Sequence, residues 1–440
     1  MITEEIVPLL QKLIQQACVN TGAPDSGQEM RSVEVLKEYF ADSGLEYDVI
    51  EPGPGRGSLV MRIKGSDPTA PSVALVGHLD VVPVPDADQW QHDPFGGELI
   101  DGVVWGRGGI DMLGLTSTFA AVTKRIGTSG EQLRGDLVLA CVADEEAGGR
   151  FGTHWIVNNR PELLNTTYAL TENGGIVLGP DAAGVTLTVA EKGGAPRMLT
   201  VHGRTGHGSV PWKSQNAAVR AAQIVKRIGE SAGEPKILEH WRAFVEKSGF
   251  EPELAARLTS AETVADALDE LGALAGYGHA MTHMTVSPNG LHAGVKSNVI
   301  PHEANIQLDI RLLPGQGEDD VKRYIDSVIA DLGEYVDVDD SRTSPASSSE
   351  AATPFRDAIE RAVKVHYPNA DIVPVVMPGG TDGKHLRDHG TITYGFGLFS
   401  RDWDMATFRS VFHGRDERID VESLRLTAET LEATLRDILG

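Results

Sequence analysis

The chain has 440 residues and is strongly acidic, because 63 Asp and Glu against 39 Lys and Arg give a formal net charge of −24. Such a surface repels phosphate backbones and anionic lipids, so we expect neither nucleic acid nor a membrane as a partner. No apolar run approaches the ~20 residues that span a bilayer, and the N-terminus lacks the pattern of a secretory signal, so the expected location is cytoplasmic.

Alternating helical and strand-like patterns fill the first part of the chain. Apolar residues at helical spacing predict helices, and short Val- and Leu-rich runs predict strands. The predicted helices are residues 4–18, Met30–Ser43 and Leu115–Ile126, and the predicted strands are Ser58–Ile63, Val73–Val76 and Asp136–Val142. This alternation predicts βα units around a mostly covered sheet.

The pattern changes after about residue 193. The next predicted elements are strand Arg197–Val201, helix Ala217–Ile228, a helical stretch over 237–275, strands Met281–Val286 and Ile306–Leu312, and helix Asp319–Leu332. A Ser-, Ala- and Pro-containing linker at Ser341–Thr353 precedes a return to the first pattern, with helix Pro354–Tyr367 and strand Ile372–Val376. We therefore predict an α/β domain, residues 1–193 and 343–440, with a smaller ferredoxin-like α+β domain, residues 194–342, inserted into it.

His78 and Asp80 follow a predicted strand, within the stretch GHLDVVP at residues 77–83. The carboxyl ends of strands are where open α/β sheets build their sites, and residues two apart on an extended chain point the same way. His78 could therefore bind a metal while Asp80 orients it. The alternative is a histidine that is hydrogen-bonded in a turn.

Three further stretches carry carboxylates. Asp111 ends the glycine-rich GRGGID at residues 106–111, where its alternative role is a helix cap. Glu145 and Glu146 directly follow an apolar strand, and adjacent carboxylates there repel unless a cation or proton lies between them. A solvated acidic turn is the alternative for Glu145 and Glu146. Glu172 follows a short apolar run and is unremarkable by itself.

Together with His413, these residues form a donor set of two histidines and three carboxylates: His78, Asp111, Glu146, Glu172 and His413. This set suits two zinc ions ~3.5 Å apart that share one carboxylate, with cobalt or manganese as possible substitutes. With only two cysteines in the chain, a metal site has to use His and carboxylates. Glu145 is left free to act as a base.

The order of these motifs resembles the dizinc metallopeptidase family that includes aminoacylases, acetylornithine deacetylase, succinyl-diaminopimelate desuccinylase, glutamate carboxypeptidase and several dipeptidases. The resemblance covers nearly the whole chain, from the N-terminal helix to beyond His413. It implies a zinc-peptidase-like catalytic domain with a mixed sheet flanked by helices. It also implies that His78 and Glu172 bind one zinc, that His413 and Glu146 bind the other, and that Asp111 bridges them. Glu145 would be the general base for a metal-bridging hydroxide, and Asp80 would support His78.

The resemblance also implies roles outside the metal set. The inserted domain would be a lid and would form a homodimer, and its GRTGHGS segment would carry His207 to its own or a partner's active site to polarise the scissile carbonyl. Asn298 would contact substrate, and Arg311 would grip a substrate carboxylate, for which its bidentate geometry is suited. Gly380 and Thr381 belong to a loop on the substrate side.

These inferences predict an enzyme that hydrolyses the amide bond of small carboxylate-bearing substrates, as a dipeptidase or carboxypeptidase. The alternatives are an N-acyl-amino-acid amidohydrolase, a carbamoyl-amide hydrolase, and a non-catalytic relative that keeps the fold. A Thr-Asp pair at Thr381 and Asp382, where desuccinylases typically have Thr-Ser-Asp, favours the peptidase and aminoacylase members.

Overall fold

The computed structural model describes all 440 residues, which form fourteen α-helices and twenty β-strands. In chain order the helices are α1 (Thr3–Gln15), α2 (Met30–Phe40), α3 (Leu113–Thr128), α4 (Thr153–Asn159), α5 (Ala217–Glu230), α6 (Glu239–Lys247), α7 (Pro252–Leu258), α8 (Val264–Ala267), α9 (Ala275–Thr282), α10 (Glu318–Ile329), α11 (Pro354–His366), α12 (Gly383–Asp388), α13 (Met405–Val411) and α14 (Val421–Leu439). None of these helices is both long and apolar enough to cross a membrane.

The strands belong to four sheets. In chain order they are β1 (Tyr47–Ile50), β2 (Ser58–Ile63), β3 (Val73–His78), β4 (Glu98–Ile100), β5 (Val103–Trp105), β6 (Leu137–Val142), β7 (Tyr168–Thr171), β8 (Val177–Leu178), β9 (Gly184–Glu191), β10 (Gly193–Gly194), β11 (Arg197–His202), β12 (Gly206–His207), β13 (Thr285–Ala293), β14 (Val299–Ile300), β15 (Glu303–Leu312), β16 (Val336–Val338), β17 (Ser347–Ser348), β18 (Asp371–Met377), β19 (Ile392–Gly395) and β20 (Arg418–Asp420).

The large sheet is mixed and carries helices on both faces. Its strand order is β1-β2-β6-β3-β7-β19-β9-β17, and β8 and β18 also pair with β9. The central strands β6, β3, β7 and β19 run parallel to one another. Alternate side chains of β3 face opposite cores: Val73 and Leu75 pack with α1, α3, α11 and α14, whereas Ala74 and Val76 pack with α4 and α12. The α/β fold expected from the sequence is confirmed.

A five-stranded antiparallel sheet of β10, β11, β13, β15 and β16 takes all its strands from residues 193–338. Its apolar face packs against α5 and α10 and forms a hydrophobic core of its own. Period-two burial along β15, with Ile306, Leu308 and Ile310 buried, is the pattern that identifies this strand from sequence. The division of the chain at residues 194 and 342 remains a prediction.

The helical segment 237–282 falls inside that range but packs against the large core. Trp241 and Phe244 of α6 stack with 5.4 Å between ring centroids, and α6 lies against β18 of the large sheet. Leu258 is also part of the large core, and its carbonyl accepts a hydrogen bond of 2.8 Å from the Trp241 indole. An amphipathic segment needs an apolar partner, and α5 and α10 already cover the small sheet.

Two expectations about individual elements need correction. The predicted strand Met281–Val286 is wrong at its start, because residues 275–282 are helical and the strand β13 begins at Thr285. Short apolar runs do not distinguish a buried helix end from a strand. The predicted linker Ser341–Thr353 contributes β17, which pairs with the end of β9 at the edge of the large sheet.

Replacing Leu258 should destabilise the whole protein, because this side chain is fully buried in the large core. We expect Leu258→Ala to lower the free energy of unfolding by about 2–5 kcal/mol. Leu99→Ala is the matched control, since Leu99 is 49% exposed, and it should cost well under about 1 kcal/mol. Urea unfolding of both variants measures the difference, and equal losses would contradict the packing of this segment.

Candidate active site

Three neighbouring parallel strands end at the same edge of the large sheet and bring four candidate residues together. His78 is the last residue of β3, Glu145 and Glu146 follow β6, and Glu172 directly follows β7. β6 and β7 both pair with β3, so their carboxyl ends lie side by side. This is the edge at which α/β sheets place ligands.

The remaining two candidates, Asp111 and His413, come from segments that a small sheet holds together. β5 ends just before the glycine-rich loop that carries Asp111, and β20 begins just after His413 and pairs with β5. Asp111 Oδ1 lies 3.0 Å from His78 Nε2, and Asp111 Oδ2 lies 2.7 Å from His413 Nε2. One buried carboxylate therefore joins the two histidines, and it does not cap α3, which has no side-chain cap.

The other two carboxylates each lie beside one histidine. Glu146 Oε1 is 3.5 Å from His413 Nε2, and this buried oxygen has no hydrogen-bond partner. Glu172 Oε1 is 3.9 Å from His78 Nε2, while its Oε2 accepts a 2.7 Å hydrogen bond from the Asn173 amide. Each glutamate thus keeps one oxygen facing the histidines.

This donor set fits two cations. Donor atoms of His78, Asp111 and Glu172 lie within 4.8 Å of one another, and so do those of Asp111, Glu146 and His413. The two trios share Asp111, and an orphaned buried oxygen of Glu146 is what a missing cationic partner would leave. Imidazole and carboxylate ligands suit zinc and neighbouring divalent metals.

The charges of these groups depend strongly on one another. Desolvation raises the pKa of Glu172 well above its usual range, and the charges of Asp111 and Glu145 add to this effect. Burial opposes the proton on His413, but the contact with Asp111 and the nearby Glu146 carboxylate outweigh it and raise the pKa to about 10. The cluster therefore holds protons where bound cations would supply the positive charge.

Asp80 supports the neighbouring glutamates more directly than it supports His78. Its carboxylate accepts hydrogen bonds from the backbone N–H groups of Glu145 (3.2 Å) and Glu146 (3.1 Å). The His78 Nδ1 contacts the Asp80 backbone carbonyl at 2.9 Å, whereas the Asp80 carboxylate lies 3.8 Å away. Desolvation raises the pKa of Glu145 well above its usual range, and the charges of Asp382, Glu146 and Asp111 add to this effect.

A polar cleft of about 420 Å³ extends from Glu145 and Glu146 towards the small sheet. None of its lining residues is hydrophobic, and they include the predicted substrate residues Arg311, Gly380 and Thr381. Arg311 Nε donates a 2.8 Å hydrogen bond to Asp309. The cleft joins the carboxylate cluster at one end to a half-buried arginine at the other.

Comparison with known proteins identifies the family. A sequence model of peptidase family M20/M25/M40 matches residues 74–437. The chain belongs to this family. It is an enzyme of the metallopeptidase, aminoacylase and amidohydrolase class, so the resemblance read from the motifs is confirmed.

Individual relatives of this M20 protein are distant but cover most of it. A probable carboxypeptidase S-like protein of Dictyostelium discoideum is 26% identical over 84% of this chain and 72% of its own length. Aminoacylase-1 of Homo sapiens is 26% identical over 90% of this chain and 86% of its own length. The structure of an M20 family metallo-carboxypeptidase from Sulfolobus solfataricus superposes with a TM-score of 0.72, at 17% identity and 98% coverage of both chains, and so shares the fold.

The M20 site is braced by a buried charge network that sequence reasoning missed. Arg56 donates to both oxygens of Glu29 and to Asp144, each at 2.7 Å. The Asn20 amide then joins Asp144 (3.1 Å) to Asp80 (2.8 Å). This network holds the turn that carries Glu145 and Glu146. No sequence motif marks its members, so it was not predicted.

A second missed residue is Glu417, which is fully buried behind the bridging carboxylate. Its Oε1 accepts backbone hydrogen bonds from Gly108 (3.1 Å), Ile110 (2.9 Å) and Asp111 (3.0 Å). Its Oε2 pairs with Arg107 at 2.5 Å, which is also hydrogen-bonded to the His413 carbonyl. Glu417 therefore positions the loop that carries Asp111.

His207 and Asn298 lie together but outside the cleft. The two-stranded sheet of β12 and β14 pairs His207 with Val299, and the Gly208 N–H donates to the Asn298 carbonyl at 2.9 Å. Both residues are exposed, and neither lines the cleft that contains Glu145. The chain by itself does not bring them to the carboxylate cluster.

Metal binding to this protein should release protons and strengthen with pH. Because His413 keeps its proton up to a pKa of about 10, a cation must compete with that proton below this pH. We expect zinc affinity to rise between about pH 6 and 9, and calorimetry in buffers of different ionisation enthalpy to show proton release. Zinc binding to the His413→Ala variant should release fewer protons than zinc binding to the wild type. An affinity that does not change with pH would contradict this assignment of charge.

Proposed function

We propose that the chain is a two-metal hydrolase that cleaves the amide bond of small substrates with a free carboxylate, as a dipeptidase or carboxypeptidase. The observation that carries the proposal is the position of Glu145. It lies beside two donor trios that share Asp111, at one end of a polar cleft that contains Arg311. Membership of the M20 family supports the same class of reaction.

In this proposal His78, Asp111 and Glu172 hold one metal ion, and Asp111, Glu146 and His413 hold the other. Zinc suits the ligands, and cobalt or manganese could replace it. When bound, such ions polarise a carbonyl group and lower the pKa of water. Asp111 supplies the shared negative charge that two neighbouring cations require.

Glu145 acts as the general base and then as the general acid. It accepts a proton from the attacking water and passes it to the leaving amine. Asp80 fixes the Glu145 and Glu146 backbone, so the base and the neighbouring ligand keep their relative positions.

Arg311 binds the substrate carboxylate, and Gly380 and Thr381 form the adjacent wall. The Nη groups of Arg311 are left for a ligand, because Asp309 accepts only from Nε. A wall without hydrophobic residues supports a peptide with polar groups over a long apolar acyl chain. Lys192 also lines the cleft, but its Nζ donates to the carbonyls of Ala280 and His283, and burial lowers its pKa to about 7.

A metal-defined activity screen tests the reaction. Zinc-loaded protein, Glu145→Gln and the surface control Glu34→Gln would be incubated with dipeptides and N-acetyl amino acids, and released amine would be measured. We expect cleavage of dipeptides by the wild type and by Glu34→Gln, and a loss of about 10²- to 10⁴-fold for Glu145→Gln.

Other outcomes distinguish the alternatives. Turnover of N-acetyl amino acids alone would favour the aminoacylase function. If no amine is released although two metals are bound, carbamoyl amides become the favoured substrates. Silence with no metal bound would support a non-catalytic family member.

We further infer that the chain forms a homodimer through its small domain, and that His207 acts in the partner's site. Val210 and Trp212 adjoin His207 and are 69% and 86% exposed, and Val295 nearby is 98% exposed. Exposed apolar side chains clustered around a candidate catalytic residue support an interface there. In the partner's cleft, His207 would donate a hydrogen bond to the oxyanion.

Mixing two inactive variants tests this arrangement. Glu145→Gln retains His207, and His207→Ala retains Glu145, so only a shared site can combine both. If His207 acts across the dimer, subunit exchange should restore about a quarter of wild-type activity per chain. Activity that stays at the level of the separate variants would place His207 in its own subunit's site.

A further inference from the structure

Asp382 is a buried carboxylate that lines the polar cleft but forms no ion pair. Only 3% of its surface is exposed, and it lines the cleft together with Glu145. The cations on the same helix, α12, are paired with other carboxylates, because Lys384 pairs with Asp388 and Arg387 with Glu191. A desolvated charge is costly unless an opposite charge accompanies it, so Asp382 lacks the cation that a buried carboxylate needs.

The local structure gives the Asp382 side chain no role in the backbone. Asp382 directly precedes α12, but this helix has no side-chain cap. A side chain placed on Gly149 would meet the Asp382 Oδ1 at 3.1 Å, so the carboxylate lies against the glycine turn that follows Glu146. Burial raises the pKa of Asp382 to about 7, although the His78 charge and the neighbouring Thr153 hydroxyl oppose this effect. A cation that enters the cleft would favour the charged carboxylate.

The other acidic residues of the cleft already have partners or roles. Glu191 accepts hydrogen bonds from the Thr381 N–H at 2.5 Å and from the Thr381 hydroxyl at 3.0 Å, in addition to its ion pair. In the proposed function Glu145 is the base and Glu146 binds a metal. Among the acidic residues that line the cleft, Asp382 is therefore the one left for a substrate.

The position of Asp382 indicates which positive group of a substrate it meets. Among the neighbouring carboxylates, Asp382 contributes most to raising the pKa of Glu145, so the two side chains lie close together. In a dipeptide a single carbon separates the α-ammonium group from the scissile carbonyl, so this ammonium has to lie beside the base. The carboxylate at the other end of the dipeptide can then extend along the cleft to Arg311.

We propose that Asp382 binds the free α-ammonium group of a dipeptide substrate and so selects dipeptides over N-acyl amino acids. A hydrogen bond between an ammonium and a carboxylate is charge-assisted and therefore strong. An N-acyl amino acid has no positive charge at this position and would leave the buried carboxylate without a partner, which costs binding energy. This inference rests on the proposed hydrolase function and adds a residue that determines specificity.

Isosteric substrates test the proposal. The dipeptide Ala-Leu and lactoyl-leucine, in which a hydroxyl replaces the ammonium, would be compared with zinc-loaded protein at pH 7, where most of the dipeptide is charged. We expect kcat/KM to favour Ala-Leu by about 10- to 100-fold, and Asp382→Asn to abolish most of that ratio. Asp382→Glu keeps the charge in a shifted position and should retain an intermediate ratio. Asp402→Asn is the matched control, because Asp402 is exposed and lies outside the cleft.

A binding measurement separates this proposal from the reaction itself. Calorimetric titration of zinc-loaded Glu145→Gln protein should show Ala-Leu binding about tenfold or more tighter than lactoyl-leucine, and adding Asp382→Asn should remove this difference. Equal cleavage of the two compounds by the wild type, or an unchanged ratio in Asp382→Asn, would overturn the proposal while the hydrolase function stands. If no amide is cleaved, the proposed function fails, and equal binding of the two compounds would then overturn the role of Asp382 independently.

Discussion

The site depends on one buried carboxylate, Asp111, placed between His78 and His413. The two histidines come from a central strand and from a loop near the other end of the sequence, and Asp111 lies 3.0 and 2.7 Å from them. Asp111, Glu146 and Glu172 all lie beside these histidines, and their negative charges repel one another unless protons or cations lie between them. The site therefore requires a fold that brings distant segments of the chain together. It also requires positive charge that balances the carboxylates.

Buried polar contacts hold the segments that carry the candidate metal ligands in place. β5 and β20 pair on either side of the two loops, and Glu417 binds three backbone N–H groups of the loop that ends at Asp111. On the other side, Arg56 and Asp144 hold the turn that presents Glu145. Such fully paired buried charges are costly to disrupt, so they keep ligands and base in fixed relative positions.

Several features of the site were predictable because they follow from local rules. His78 and Glu172 stand directly at or after apolar strands, and parallel strands bring such ends together. The role of Asp80 was predicted less well, since the direction of a carboxylate depends on which backbone N–H groups surround it. Glu417 was missed because its partners are hundreds of residues away in the chain. Arg56 was missed because neither it nor its partners belong to a recognisable motif. The start of β13 was misplaced because an apolar residue such as Met281 fits a buried helix end as well as a strand.

The sequence by itself determined the class of fold and the family, and it predicted a set of donor residues, because hydrophobic periodicity and motifs can be read from the chain without its tertiary structure. Only the tertiary structure decided that the helical segment 237–282 packs on the large core and that His207 lies outside the cleft of its own chain. These are distances between segments far apart in the chain, and they are set by packing and burial of charge that no local pattern encodes.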